Sequence, residues 1–154
     1  MKDYLVSFDR NQNPVLVVAV TTESATADDL IELNHRLQSV VPSIPFGMVV
    51  DPEVIRVVKL GHDGLVPNPV ELVTREMLGP YDPDFAGQDT EYGTKQGFLI
   101  YFKGRVESWL WDLADRWKLD QPPGMRELAA ITLLDRLRGG NTSDEVAVRG
   151  SIIP

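Results

Sequence analysis

Two histidines, 23 carboxylates and no cysteine make up the reactive side chains of this 154-residue chain. Without cysteine there is no disulfide, no zinc–thiolate site and no cysteine nucleophile. His35 stands between Asn34 and Arg36 in a helical pattern, and His62 lies in the loop "GHDGLVPNP". Neither has the spacing to other ligands that a metal site needs, so both read as structural or surface residues. The acidic stretch "DPDFAGQDTEYG" places Asp82, Asp84 and Gly87 at positions one, three and six of a calcium loop. Its twelfth position is Gly93, where a bidentate glutamate is required, so it reads as a solvated acidic loop. No glycine-rich stretch follows a strand and opens a helix in the spacing that cradles phosphate. Three tryptophans, Trp109, Trp111 and Trp117, crowd one segment. Trp109 and Trp117 share an apolar stripe, while Trp111 lies about 200° round the helix from Trp109 at roughly 100° per residue. Trp111 joins Ile100 on a second face. That face is either buried by another part of the chain or an exposed patch for a protein partner.

The elements that would carry these groups follow from apolar periodicity. "DYLVSF" (residues 3–8) reads as a short strand, "DRNQNP" as a turn, and "PVLVVAVTT" (14–22) as a returning strand, which together make a hairpin. The second strand is continuously apolar and is expected at the centre of the sheet, covered on both faces. "TADDLIELNHRLQSVV" reads as a helix capped by Thr26, with Asp28 and Asp29 at its positive end. Leu30, Leu33, Leu37 and Val41 form its apolar face, and Pro42 ends it. "IPFGMVVD" and "PEVIRVVKL" are a third and a fourth strand joined tightly through Asp51 and Pro52. "VELVTREML" reads as a short helix. One long helix is expected over 95–118, with Phe98, Phe102, Val106, Trp109, Leu113 and Trp117 as its stripe. The segment 98–102 taken alone would also suit a strand. A terminal helix over 125–138 stops at Gly139. The sum is a single α/β domain over 1–140, with a mixed central sheet, a crossing helix and C-terminal helices, followed by a tail over 141–154.

Composition narrows the partners. The chain is 43% hydrophobic and 25% charged, which suits a folded domain. Its net charge of −8 runs against the phosphate backbone, so nucleic acid is disfavoured as a partner. No apolar run approaches the roughly 18 residues that span a bilayer, and the N-terminus lacks the apolar core of a signal peptide. A cytoplasmic location is expected.

The order of these elements resembles the PD-(D/E)XK nuclease superfamily, the restriction-endonuclease-like fold. The resemblance is to a prokaryotic group reading roughly "D-F-V-V-Y-D-x-x-G-x-L-V-L-V-V-E-V-K", then a helix, then "P-Y-F-L-L-V-T-P-D". The matching text here is "DYLVSFDRNQNPVLVVAVTT", the helix from Thr26, and "PFGMVVDPEVIRVVKL", with "SWLWDL" similar to that group's C-terminal part. The resemblance implies a sheet on which two acids hold Mg²⁺ and a lysine positions the nucleophile. Asp3 falls at the first acid, Ala19 where the second acid belongs, and Thr21 where the lysine belongs. An alanine has no ligand atom and a threonine hydroxyl carries no charge, so the implied site is degenerate. Replacement ligands would be Glu23 or Glu32, with Lys59 or Arg56 as the cation. The helix and strand that the family places before Asp3 have no counterpart, which implies an N-terminally truncated core with a sheet edge in need of cover. The expectation is an inactive nuclease-fold protein that binds or assembles, as a homo-oligomer or with a protein partner. Trp111, Ile100 and the tail residues Val146 and Val148 are the candidate contacts. The alternative is a nuclease with displaced ligands that uses Mg²⁺.

Overall fold

The computed structural model describes residues 2–39, 43–61, 64–65, 69–82, 94–115 and 121–144. Strands β1 (Lys2–Phe8) and β2 (Pro14–Thr21) form the expected antiparallel hairpin. Its turn is held by the Asp9 carboxylate, which accepts the backbone N–H groups of Asn11 (2.9 Å) and Asn13 (3.0 Å). Helix α1 (Ala27–Ser39) starts where Thr26 predicts. The Asp29 carboxylate accepts the Thr26 N–H at 2.7 Å while the Asp29 N–H donates to the Thr26 carbonyl at 3.1 Å, so each satisfies a donor at the helix start.

Helix α1 then crosses to strand β3 (Phe46–Val50), which runs parallel to β2. A parallel neighbour requires such a crossover. Gly47 lies under the helix. A Cβ there would sit 2.7 Å from Leu33 Cδ2, so the glycine permits the close packing of helix on strand. Strand β4 (Val54–Gly61) returns antiparallel to β3. The turn between them is organised by Asp51, whose Oδ1 accepts the N–H of Glu53 (2.8 Å) and Val54 (2.7 Å).

The outer edge of β4 is paired by two short strands, β5 (Gly64–Leu65) and β6 (Val70–Val73). "VELVTREML" is therefore a strand followed by a short helix, α2 (Thr74–Leu78), where the sequence suggests helix alone. β-Branched Val70 and Val73 beside an open strand edge complete a ladder. Thr74 fixes the corner, with its hydroxyl donating to the Asp51 carbonyl at 2.8 Å.

Helix α3 (Lys95–Asp115) is continuous through 98–102, as expected. It buries Phe98, Phe102, Val106, Trp109 and Leu113. The last helical stretch is two helices, α4 (Met125–Ala130) and α5 (Leu133–Leu137), where one is expected. The break is at Thr132, with φ 68°, the second of two consecutive β-branched residues, Ile131 and Thr132, that favour helix weakly. The segment read as the start of a tail is strand β7 (Asn141–Asp144), antiparallel to β1. It covers the β1 edge over Leu5–Phe8, so the edge expected to need a partner subunit is paired there by the chain itself. The rest of the tail lies outside the described residues.

The main path of the sheet runs β5-β4-β3-β2-β1-β7, with β6 also on β4. One hydrophobic layer joins Leu5, Leu16, Val18, Val20, Met48 and Ile55 to α2–α5. The other joins Tyr4, Val6, Val17, Ala19 and Val49 to Leu33 and Leu37 of α1. This is an α/β fold with a mixed, partly antiparallel sheet covered on both faces. At roughly 25 cal/mol per Å² of buried apolar surface, these two layers supply most of the drive to fold. Among the described residues no helix is long and apolar enough to cross a membrane.

Candidate functional site

The hairpin register decides what the sequence motif can do. Asp3 pairs with Val20, Tyr4 with Ala19 and Lys2 with Thr21. Directly opposed residues share a face and successive residues alternate. Asp3 therefore faces α3, in line with Val18 and Val20, whereas Ala19 and Thr21 face α1.

On the α3 face, Asp3 Oδ2 accepts a hydrogen bond from Lys103 Nζ at 2.6 Å, and Lys103 also donates to Asp144 of β7. Burial opposes the charge of Lys103. The bonds to Asp144 and Asp3 outweigh it and raise the lysine above its ordinary value. This cluster ties α3 to β1 and β7.

On the α1 face, Ala19 is 2% exposed and belongs to the hydrophobic cluster of that layer, directly opposite Tyr4. Thr21 is buried, and its Oγ1 accepts the Glu23 N–H at 3.3 Å. Glu32 accepts from Lys2 Nζ and from the Tyr4 hydroxyl, both at 2.8 Å, and Lys2 also donates to Asp29 at 2.7 Å. Arg36 stacks over the Tyr4 ring at 3.8 Å. The bonds from Lys2 and Tyr4 hold Glu32 below the usual carboxylate value. For Lys2, burial acts against the charge, but the bonds to Asp29 and Glu32 prevail and raise it.

The remaining candidates lie apart from both clusters. Glu23 is exposed, 3.5 Å from Lys95. Lys59 is exposed over the Phe46 ring. Arg56 bonds Glu71 at 3.1 Å and lies 3.8 Å from Asp51. His35 is exposed on α1, and His62, Trp117, Val146 and Val148 lie outside the described residues, as does the acidic loop beyond Asp82. Ile100 is 62% exposed and Trp111 half-buried on the outer side of α3.

Magnesium needs several oxygen ligands converging on one point. The residues present do not fit that requirement. Asp3 is separated from Glu32 by the sheet, and Asp3, Glu23 and Glu32 are each held by a different lysine. Among the described residues no three histidine, aspartate or glutamate side chains are grouped to hold a metal ion.

Two features go beyond the sequence reading, which gives Asp51 only as part of the tight β3–β4 link and does not single out the Tyr81–Asp112 pair. Asp51, 4% exposed, bonds the N–H groups of Glu53 and Val54 and also that of Ala25 (2.9 Å), so it locks the exit of β2 to the β3–β4 turn. Tyr81 donates to the fully buried carboxylate of Asp112, joining the segment after α2 to α3. Burial, then this bond, raises the tyrosine pKa strongly. The one sequence signal for Asp112 is a carboxylate set beside the apolar stripe of α3, next to Leu113.

No family model matches the chain, and neither a curated protein nor a solved structure matches it.

Proposed function

We propose that this chain is a binding or assembly module on an α/β frame, a degenerate relative of the restriction-endonuclease-like core that does not cut nucleic acid. The observation that carries the absence of cutting is the placement of Asp3 on one sheet face and of Glu32, Ala19 and Thr21 on the other. A hairpin, a crossing helix and a strand parallel to the second hairpin strand agree with the element order of that core. The Asp3 and Glu32 carboxylates are bound by lysines that tie helices to β1, which is a structural use of charge. The alternative, a Mg²⁺-dependent nuclease using Asp3, Glu23 or Glu32, needs ligands that converge.

The test is a cleavage assay on single- and double-stranded DNA and RNA with Mg²⁺ or Mn²⁺, alongside Asp3→Ala and Glu32→Ala. The expected result is no metal-dependent cleavage by the wild-type chain. Cleavage that disappears in either variant would establish the nuclease instead.

A further inference from the structure

We infer that the partner of this module is a second copy of the same chain, docked through the outer face of α3 about a two-fold axis running alongside that helix. This rests on the binding-module reading and specifies its partner. The inner face of α3 is filled by Phe98, Phe102, Val106, Trp109 and Leu113. At about 100° per residue, Ile100, Gly104, Ser108 and Trp111 fall together on the opposite face. A surface helix ordinarily presents charge there. Here Ile100 is 62% exposed, and a Cβ at Gly104 would meet nothing within 4 Å among the described residues. The Ser108 hydroxyl is turned back onto the Gly104 carbonyl at 3.0 Å, so it asks nothing of a partner.

Charge on the two flanks of this strip names the occupant. On one side Tyr101 edges the strip and Arg105 lies beyond it, with its guanidinium 5.3 Å from the Tyr101 ring centroid and its Nε buried and lacking a hydrogen-bond acceptor. Glu107 borders the other side, and among the described residues it forms no ion pair. Lys103, on the same side as Glu107, is shared between Asp3 and Asp144, so the excess charge on that flank is negative. A two-fold axis parallel to α3 sets strip against strip and exchanges left and right flanks. Arg105 of each copy then faces Glu107 of the other, offset by two residues or about 3 Å along the axis, within the reach of an arginine. The surface is self-complementary: positive meets negative twice, around an apolar centre.

The test is sedimentation equilibrium on the full chain, comparing wild type with Ile100→Lys, Arg105→Glu, Glu107→Arg and the Arg105→Glu/Glu107→Arg double variant. Circular dichroism of each checks that it is folded. The wild type should dimerise. Ile100→Lys and each single charge reversal should weaken the dimer at least about tenfold, and the double reversal should return it to within about threefold of wild type. A wild-type monomer at about 100 μM, a value corresponding to very weak association, overturns the proposal. So does a dimer indifferent to the single reversals, or a double variant no tighter than either single. A monomer that also fails to cut nucleic acid removes only the self-partner, whereas a cutting enzyme removes the binding-module reading itself.

Discussion

Asp3 and Ala19 sit on adjacent strands one ladder step apart and point to opposite sides of the sheet. Asp3 reaches Lys103 on α3, while Ala19 is packed beneath α1 against the apolar side chains of that layer. The residues that share the Asp3 face of β2 include Leu16, Val18 and Val20, all fully buried. No ionisable side chain of β2 therefore joins Asp3 on either face.

Installing the nuclease motif should not create a metal site. In the Ala19→Glu/Thr21→Lys variant the glutamate enters an apolar layer, where an uncompensated charge costs several kcal/mol. The expected outcome is a sharply lowered melting temperature that Mg²⁺ does not raise. A melting temperature that climbs with added Mg²⁺ would show that position 19 can converge with Asp3 after all.

Stability should depend on pH through the two lysine-centred clusters. Asp29 and Glu32 are held below their ordinary values of 3.8 and 4.5, so their contribution is present above those values and is lost as pH falls through the lower folded ones. Lys2 and Lys103 are held above the ordinary 10.5, so theirs is complete below that value and is lost as pH rises through the raised folded ones. A plot of urea midpoint against pH should be flat between the two limits, as far as these groups are concerned. The Asp29→Asn/Glu32→Gln variant should show a shallower acid limb, and an unchanged limb would contradict the assignment.

The Lys103 cluster should act mainly on β7. Replacing Lys103 with Met keeps the aliphatic stem but leaves Asp3 and Asp144 without their shared cation. All three groups are partly exposed, so the expected cost is about 1 kcal/mol. Hydrogen exchange should show the loss concentrated in the amides of β7 and the facing part of β1. Uniform loss across the sheet would mean that the cluster supports the whole fold.

How much of this was legible beforehand depends on whether the information is local. The apolar run Val15–Val20 marks a strand covered on both faces, Thr26 and Asp29 mark a helix start, and the aromatic stripe of α3 marks its buried side. Each is a property of a short window. Register is not. β1 and β2 are buried on both faces, so no alternation of polar and apolar residues reveals which side Asp3 takes, and a one-residue slip exchanges the faces. An alignment of the chain with a nuclease motif is blind to that slip. β6 and β7 owe their strand form to partners outside any local window, β4 some 13–19 residues before β6 and β1 at the other end of the chain from β7. Val70–Val73 becomes a strand beside β4, and the polar "NTSD" becomes one through Ser7 and Lys103. Asp112 was hidden because its partner Tyr81 lies 31 residues earlier, across a contact no local pattern encodes.

The Ser7–Thr142 hydroxyl pair offers the sharpest test of how β7 is held. The two side chains lie directly opposite each other on β1 and β7, Oγ to Oγ1 at 2.8 Å, with exposures of 0% and 4%. Ser7→Ala removes one hydroxyl and leaves the other buried without this partner, which costs about 1–3 kcal/mol. Thr142→Val should cost a similar amount for the same reason. The double variant Ser7→Ala/Thr142→Val removes the polar demand from both strands while nearly keeping the threonine's shape, so its cost should fall well below the sum of the two singles. The difference, read from urea unfolding of all four chains, is the coupling between the strands. Additive losses would mean that the hydroxyls act independently, and that β7 is retained by its backbone ladder and Lys103 rather than by this pair.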